Sequence, residues 1–257
     1  MNSLRELYEY KEMLYNLVKK DLRTRYKGSF LGFLWTFINP LMQLVVYSIV
    51  FSTIMPIQVD KYYIYLFIAL IPWIFFTTCL QAGATSILAG KDLIKKIYFP
   101  RVVLPLSVVC AAFMNMLFSM LVVFAVLILS GIGIGIAIVW LPFIMILEFL
   151  LALGITLICA ALNVYFRDLE HILGIITMAW FYLTPIVYTV DMIPEQYIKY
   201  YLINPMIPII GAYRDVLYYK QAPEVGTLWS VLGWSIGIIV LGYLIFQKLQ
   251  KHFVEEL

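Results

Sequence analysis

Long stretches without Asp, Glu, Lys or Arg constrain this chain more than any motif does. They cover Gly28–Val59, Tyr62–Gly90, Val102–Leu147, His171–Val190 and Val225–Gln247. A helix needs about 20 such residues to cross a hydrocarbon core of about 30 Å. The third run is too long for one helix. Gly131-Ile132-Gly133-Ile134-Gly135 near its middle predicts a turn, hence a helical hairpin whose second arm continues past Glu148 to about Asn163. The expected fold is therefore all-α integral membrane, one domain over residues 1–257, with six transmembrane helices near 33–54, 62–81, 105–130, 138–163, 171–190 and 228–247. Composition agrees: 63% of residues are hydrophobic and 13% charged, against roughly half and a quarter in soluble domains.

Orientation follows from the cations. Fourteen of the 18 Lys and Arg residues precede the first span, lie between the second and third, or accompany Arg167 and the tail. The remaining four are Lys61, Lys199, Arg214 and Lys220. Cytoplasmic loops carry the excess of positive charge, so N- and C-termini are both expected inside, as an even number of spans requires. Tyr62, Tyr63, Trp140 and Trp229 would then mark the outer interface.

Three segments outside the spans are informative. Residues 1–29 contain Leu7, Tyr10, Leu14 and Leu17 at spacings of three and four, which predicts an amphipathic helix at the cytoplasmic interface. Such a helix either lies on lipid or packs under the bundle. Gly90–Arg101 is a short basic stretch closed by Pro100. Residues 191–226 are too apolar for an ordinary loop, and Pro205 and Pro208 interrupt them. Two short re-entrant outer helices before the last span would explain that pattern.

Catalytic chemistry is not legible. His171 and His252 stand in different segments, and Cys79, Cys110 and Cys159 all fall inside apolar runs, so neither a metal spacing nor a disulfide framework is present. Gly83 and Gly90-Lys91 imitate a phosphate-binding loop, but six residues separate the glycines instead of four, and Asp92 replaces the hydroxyl residue. The chain is expected to carry no cofactor and no nucleotide site of its own, and to bind no nucleic acid. If it uses ATP, another chain binds the ATP and its Mg.

Polar residues inside the spans are the remaining candidates. Glu148 is the only ionisable Asp, Glu, Lys or Arg within one. An isolated carboxylate makes a poor proton relay, so pairing within the bundle is the expectation. Trp35, Asn39, Gln43 and Tyr47 recur every four residues in the first span, and Thr177, Phe181, Thr184 and Tyr188 at four and three in the fifth. Such stripes suit sugars, whose hydroxyls take hydrogen bonds and whose CH faces pack on rings. They suit interhelical packing equally well. Gly28/Gly32 and Gly233/Gly237 have the small-residue spacing of helix contacts.

The segment Lys20-Asp21-Leu22-Arg23-Thr24-Arg25-Tyr26-Lys27-Gly28-Ser29-Phe30-Leu31-Gly32-Phe33-Leu34-Trp35, followed by Asn39-Pro40-Leu41, resembles the entry to the first span of ABC-2 type polysaccharide-export permeases. Lys91-Asp92-Leu93-Ile94-Lys95-Lys96-Ile97-Tyr98-Phe99-Pro100-Arg101 looks like that family's cytoplasmic loop, and Asn204-Pro205 with Arg214 like its last outer segment. Order, spacing and length match over essentially the whole chain, most closely for permeases of lipid-linked O-antigen. The resemblance implies a homodimer in the cytoplasmic (inner) membrane, paired with two copies of an ABC ATPase subunit. It implies a conduit for a lipid-linked glycan, which Trp35, Asn39, Gln43, Tyr47, Thr177, Phe181, Thr184 and Tyr188 would line. Gly90, Lys91, Asp92, Leu93, Ile94, Lys95, Lys96 and Ile97 would form the coupling helix docked on the ATPase. Lys19, Lys20, Arg23, Arg25 and Lys27 would meet the pyrophosphate lipid head, although positive-inside charge and attraction to anionic membrane lipids explain the same cluster. Teichoic-acid or capsule export fits the same residues. A secondary transporter or channel fits poorly, because intramembrane charges are sparse and no internal repeat is visible.

Overall fold

A computed structural model describes residues 6, 8–26, 28, 30–50, 59–201 and 203–256. Among them the regular structure is helical, without a strand. In chain order the helices are α1 (Lys11–Tyr26), α2 (Trp35–Ile49), α3 (Tyr62–Ala84), α4 (Ser86–Ala89), α5 (Lys91–Lys96), α6 (Val103–Leu129), α7 (Leu141–Tyr165), α8 (Leu169–Tyr182), α9 (Glu195–Tyr201), α10 (Met206–Arg214), α11 (Val225–Leu249) and α12 (Phe253–Glu256).

Four helical stretches among the described residues are long and apolar enough to cross a membrane: Tyr62–Ala84, Val103–Leu129, Ile136–Tyr165 and Val225–His252. They coincide with the second, third, fourth and sixth expected spans. Gly131 and Gly133 make the hairpin turn between α6 and α7 at φ +77° and +73°, where a side chain would be strained. The N–H of Gly133 donates to the Leu127 carbonyl at 2.9 Å and closes the end of α6. The first expected span begins as a 3-10 turn at Gly32–Leu34 and continues through α2. Its final stretch, 51–54, lies outside the described residues.

The fifth span departs from expectation. Helix α8 stops at Tyr182 instead of running to 190. Its 14 residues rise only about 21 Å, short of a bilayer core. Pro185 favours the break, having no N–H for the ladder and a ring that would clash with the carbonyl four residues back, although Pro40 and Pro72 are tolerated inside α2 and α3.

Helix α3 forms the centre, buried along most of its length against α6 and α7. Helix α11 crosses α7 at backbone contact, where a Cβ on Gly242 would sit 2.1 Å from the Gly154 carbonyl oxygen. The glycines expected to pack helices do something else. Gly233 and Gly237 have nothing within 4 Å of a built Cβ, and Gly28 and Gly32 adopt φ +81° and +48° between α1 and α2.

Two ends can be distinguished. At the basic end, Tyr10 and the α1 residues Met13, Leu14 and Leu17 pack on a core cluster containing Phe99, Val103, Phe246 and Phe253. The helix thus packs under the bundle. Tyr10 donates to the Tyr98 carbonyl at 3.1 Å, Tyr165 to that of Leu249 at 2.8 Å, and Arg101 to that of Gln250. At the opposite end, Lys61 donates to the Ser130 carbonyl at 2.9 Å and Tyr218 to that of Asp60. Tyr62, expected on the aromatic belt, is buried there, whereas Trp140 and Trp229 are exposed. The two expected short helices are present at this end. The described side chains of α9 are exposed apart from half-buried Tyr201, but α10 buries Met206, Ile209, Ile210 and Tyr213 in the main core.

Candidate functional site

The basic segment after α3 is built to present a surface. Gly90 begins it, packed where a Cβ would come within 2.6 Å of Leu104 Cδ1. Helix α5 then turns Leu93 and Ile94 inward onto the second core cluster. Lys91, Asp92, Lys95 and Lys96 face outward. Ile97 and Tyr98 are 50% and 88% exposed, while Phe99 anchors the segment at 4%. Leu93 and Ile94 are therefore half-buried against this chain's own core. The segment's exposed side chains are Ile97, Tyr98 and the charged residues of α5. Behind them lies a cavity of about 750 Å³ whose walls include Lys95, Lys96, Arg101, Gln247 and Lys251.

The first stripe divides between two cavities. Trp35, Asn39 and Gln43 line one of about 250 Å³, opposite Thr78 of α3 and Asn115 and Ser119 of α6. Tyr47 lines another, of about 320 Å³, with Trp73, Gln81, Thr177 and Phe181. There the Tyr47 and Phe181 rings stack at 6.1 Å, joining the two stripes. Gln81 donates to the Thr177 hydroxyl at 2.9 Å. It is the one side-chain amide in its apolar run, a sequence signal that marked it as readily as Asn39 or Gln43.

The second stripe ends where α8 ends. Thr184 is fully buried and Leu183 is 58% exposed, the reverse of a continuous helical face. Tyr188 shares a hydrogen bond with Tyr201 and donates to the Tyr182 carbonyl at 2.7 Å. Asn204 occupies the break: its Nδ2 donates to the Thr184 hydroxyl at 2.9 Å, and its Oδ1 accepts from Trp180 Nε1 at 2.8 Å.

Lys19, Lys20 and Arg23 are exposed on α1, with the Lys19 ammonium 5.6 Å from the Tyr15 ring centroid. The Arg25 side chain and Lys27 lie outside the described residues. Glu148 is fully buried and accepts a 2.6 Å hydrogen bond from Tyr213 of α10. Arg214, also buried, reaches the Pro185 and Ile186 carbonyls. Among the described residues, no group of three or more His, Cys, Asp or Glu could hold a metal ion.

Residues 12–218 match the family model described as ABC-2 type transporter. The chain is 33% identical to the O-antigen export system permease protein RfbA of Myxococcus xanthus, covering 99% of this chain and 98% of that protein. It is 35% identical to the protein of the same name from Klebsiella pneumoniae, covering 96% and 95%. It is 26% identical to the polysialic acid transport protein KpsM of Escherichia coli, covering 91% and 92%.

Proposed function

Because this chain belongs to the ABC-2 type transporter family, we propose that it is the membrane subunit of an ATP-driven exporter of lipid-linked, O-antigen-like glycan. A transport role and a place in the membrane come with the family. The polysaccharide cargo rests on nearly full-length similarity to O-antigen export permeases. ATP and Mg reside on a separate ABC ATPase, two copies of which serve a permease homodimer in the cytoplasmic membrane. The chain crosses six times with both termini inside. The gathering of α1, α5, Arg101, Arg167, Lys248 and Lys251 at one end supports that topology, because together they hold most of the cations.

The observation that carries the proposal is the exposed strip Lys95-Lys96-Ile97-Tyr98, backed by buried Phe99 and half-buried Leu93 and Ile94. A partner can grip this surface without unfolding it. Tyr47, Phe181 and Thr177 supply the conduit wall, where ring stacking tolerates differing sugars. Co-purification with a candidate ABC ATPase tests the proposal. The pair should co-elute, and the isolated chain should bind no nucleotide. Failure of every genomically adjacent ABC ATPase to bind would refute it. A capsule glycan is the second reading, favoured by the kinship to the polysialic acid transport protein. A proton-coupled transporter is disfavoured, because the one buried carboxyl side chain among the described residues is tied to Tyr213.

A further inference from the structure

The stretch after α8 is not helical, yet its carbonyls are satisfied one by one. Tyr182 accepts from the Tyr188 hydroxyl at 2.7 Å, and Leu183 from Asn204 Nδ2 at 3.1 Å. Thr184 accepts from the Ile186 N–H at 2.7 Å. Pro185 and Ile186 accept from the two terminal nitrogens of Arg214 at 2.6 and 2.8 Å, and Val187 from the Tyr62 hydroxyl at 2.8 Å. A continued helix would satisfy most of these groups internally. The unwound form competes only because four side chains replace the lost ladder.

Arg214 does the largest share. It holds two adjacent carbonyls with charge-assisted bonds, which are about twice as strong as neutral ones. Its guanidinium carbon lies 3.6 Å from the Tyr65 ring centroid, and the residue is 4% exposed. The neighbouring Tyr213 fastens α10 to α7 through Glu148. Helix α10 is thus braced on one side and grips the unwound segment on the other. The consequence falls on the stripe that begins Thr177 and Phe181. In a continuous helix Thr184 and Tyr188 would extend that face. In the gripped form Thr184 is buried and the face stops at Phe181.

We propose that Arg214 is the positioning residue of the outer seal. By holding 183–187 unwound it closes the conduit above Phe181, and loss of its grip opens that end. The proposal rests on the permease function proposed above. The test uses the transporter assembled in membranes, without ATP, with Cys79, Cys110 and Cys159 replaced by alanine and Val187→Cys as reporter. Val187 is 6% exposed, so the reporter thiol is protected while the grip holds. Adding Arg214→Gln should raise its labelling by an impermeant maleimide from outside by about tenfold or more, the population shift expected from losing a charge-assisted pair. Passive ion flux through proteoliposomes should rise with it. A control reporter, Ser235→Cys, buried elsewhere in the bundle, should stay protected. If Arg214→Gln does not assemble, Arg214→Lys and Asn204→Ala carry the same two measurements, with smaller increases expected. Unchanged Val187→Cys labelling in an assembled variant overturns the proposal. So does labelling without ion flux, or equal exposure of the Ser235→Cys control. Neither readout requires glycan or ATP, so an error about the cargo would leave this test decisive.

Discussion

Tyr213 donates its phenol proton to Glu148 Oε2 across 2.6 Å, joining α10 to α7 through residues 65 positions apart. Both side chains are fully buried, and Glu148 Oε1 has no partner among the described residues. The contact acts as a strut that seats the outer helix in the core. Tyr213→Phe strands a buried carboxyl and should cost about 1–3 kcal/mol. Glu148→Gln keeps an acceptor and should cost less than half as much, with export intact. Thermal unfolding in detergent and export by each variant check this. Abolished export in a stable Glu148→Gln protein would assign the carboxyl a transport role instead.

The α7–α11 crossing gives a second prediction. Gly154→Ala and Gly242→Ala should each impair folding, because the new Cβ would lie within 2.7 and 2.1 Å of backbone atoms on the facing helix. Gly233→Ala and Gly237→Ala meet open space in the subunit and should be neutral, or stabilising by up to about 1 kcal/mol. Yield and melting temperature of the four variants decide it.

That contrast shows how far the sequence can be read. Charge-free length located α3, α6, α7 and α11, because crossing a bilayer demands it whatever the tertiary contacts. The Gly131–Gly135 turn was equally plain. Spacing did not reveal the close crossing within the subunit, since Gly154 and Gly242 lie on different helices and share no local pattern. It also extended α8 past Pro185, because satisfaction of the freed carbonyls depends on Asn204 and Arg214, distant in sequence. The two stripes were visible. Their division between cavities depends on how α2 leans on α3 and α6, which periodicity does not encode.

At the basic end, residues facing outward should separate from residues facing inward. Tyr98→Ala with Ile97→Ser should weaken ATPase binding at least about tenfold while leaving the melting temperature unchanged, because these side chains carry exposed apolar surface available to a partner. Lys95→Glu with Lys96→Glu should act alike. Leu93→Ser should lower stability by about 1–3 kcal/mol instead, since it loses apolar burial in the subunit itself. Titration of ATPase binding and differential scanning fluorimetry distinguish the two classes.

Along the proposed conduit, Tyr47→Ala and Phe181→Ala should each reduce glycan export severalfold without disturbing ATPase assembly. Their effects should be less than additive, because the rings stack on each other. A cysteine at Gln43 should react with a water-soluble thiol reagent, while one at Leu44, 8% exposed, should not. Full export by the Tyr47→Ala, Phe181→Ala double variant would mean that the cavity is a packing defect and the glycan passes elsewhere.

Reconstitution tests the central claim most directly. The chain and its ABC ATPase would be placed in proteoliposomes with lipid-linked glycan, and glycan translocation measured with and without ATP. Translocation should require both proteins and ATP, stop with the Tyr98→Ala, Ile97→Ser variant, and be indifferent to a proton gradient. Glycan movement by the chain alone, or movement driven by a proton gradient without ATP, would contradict the account.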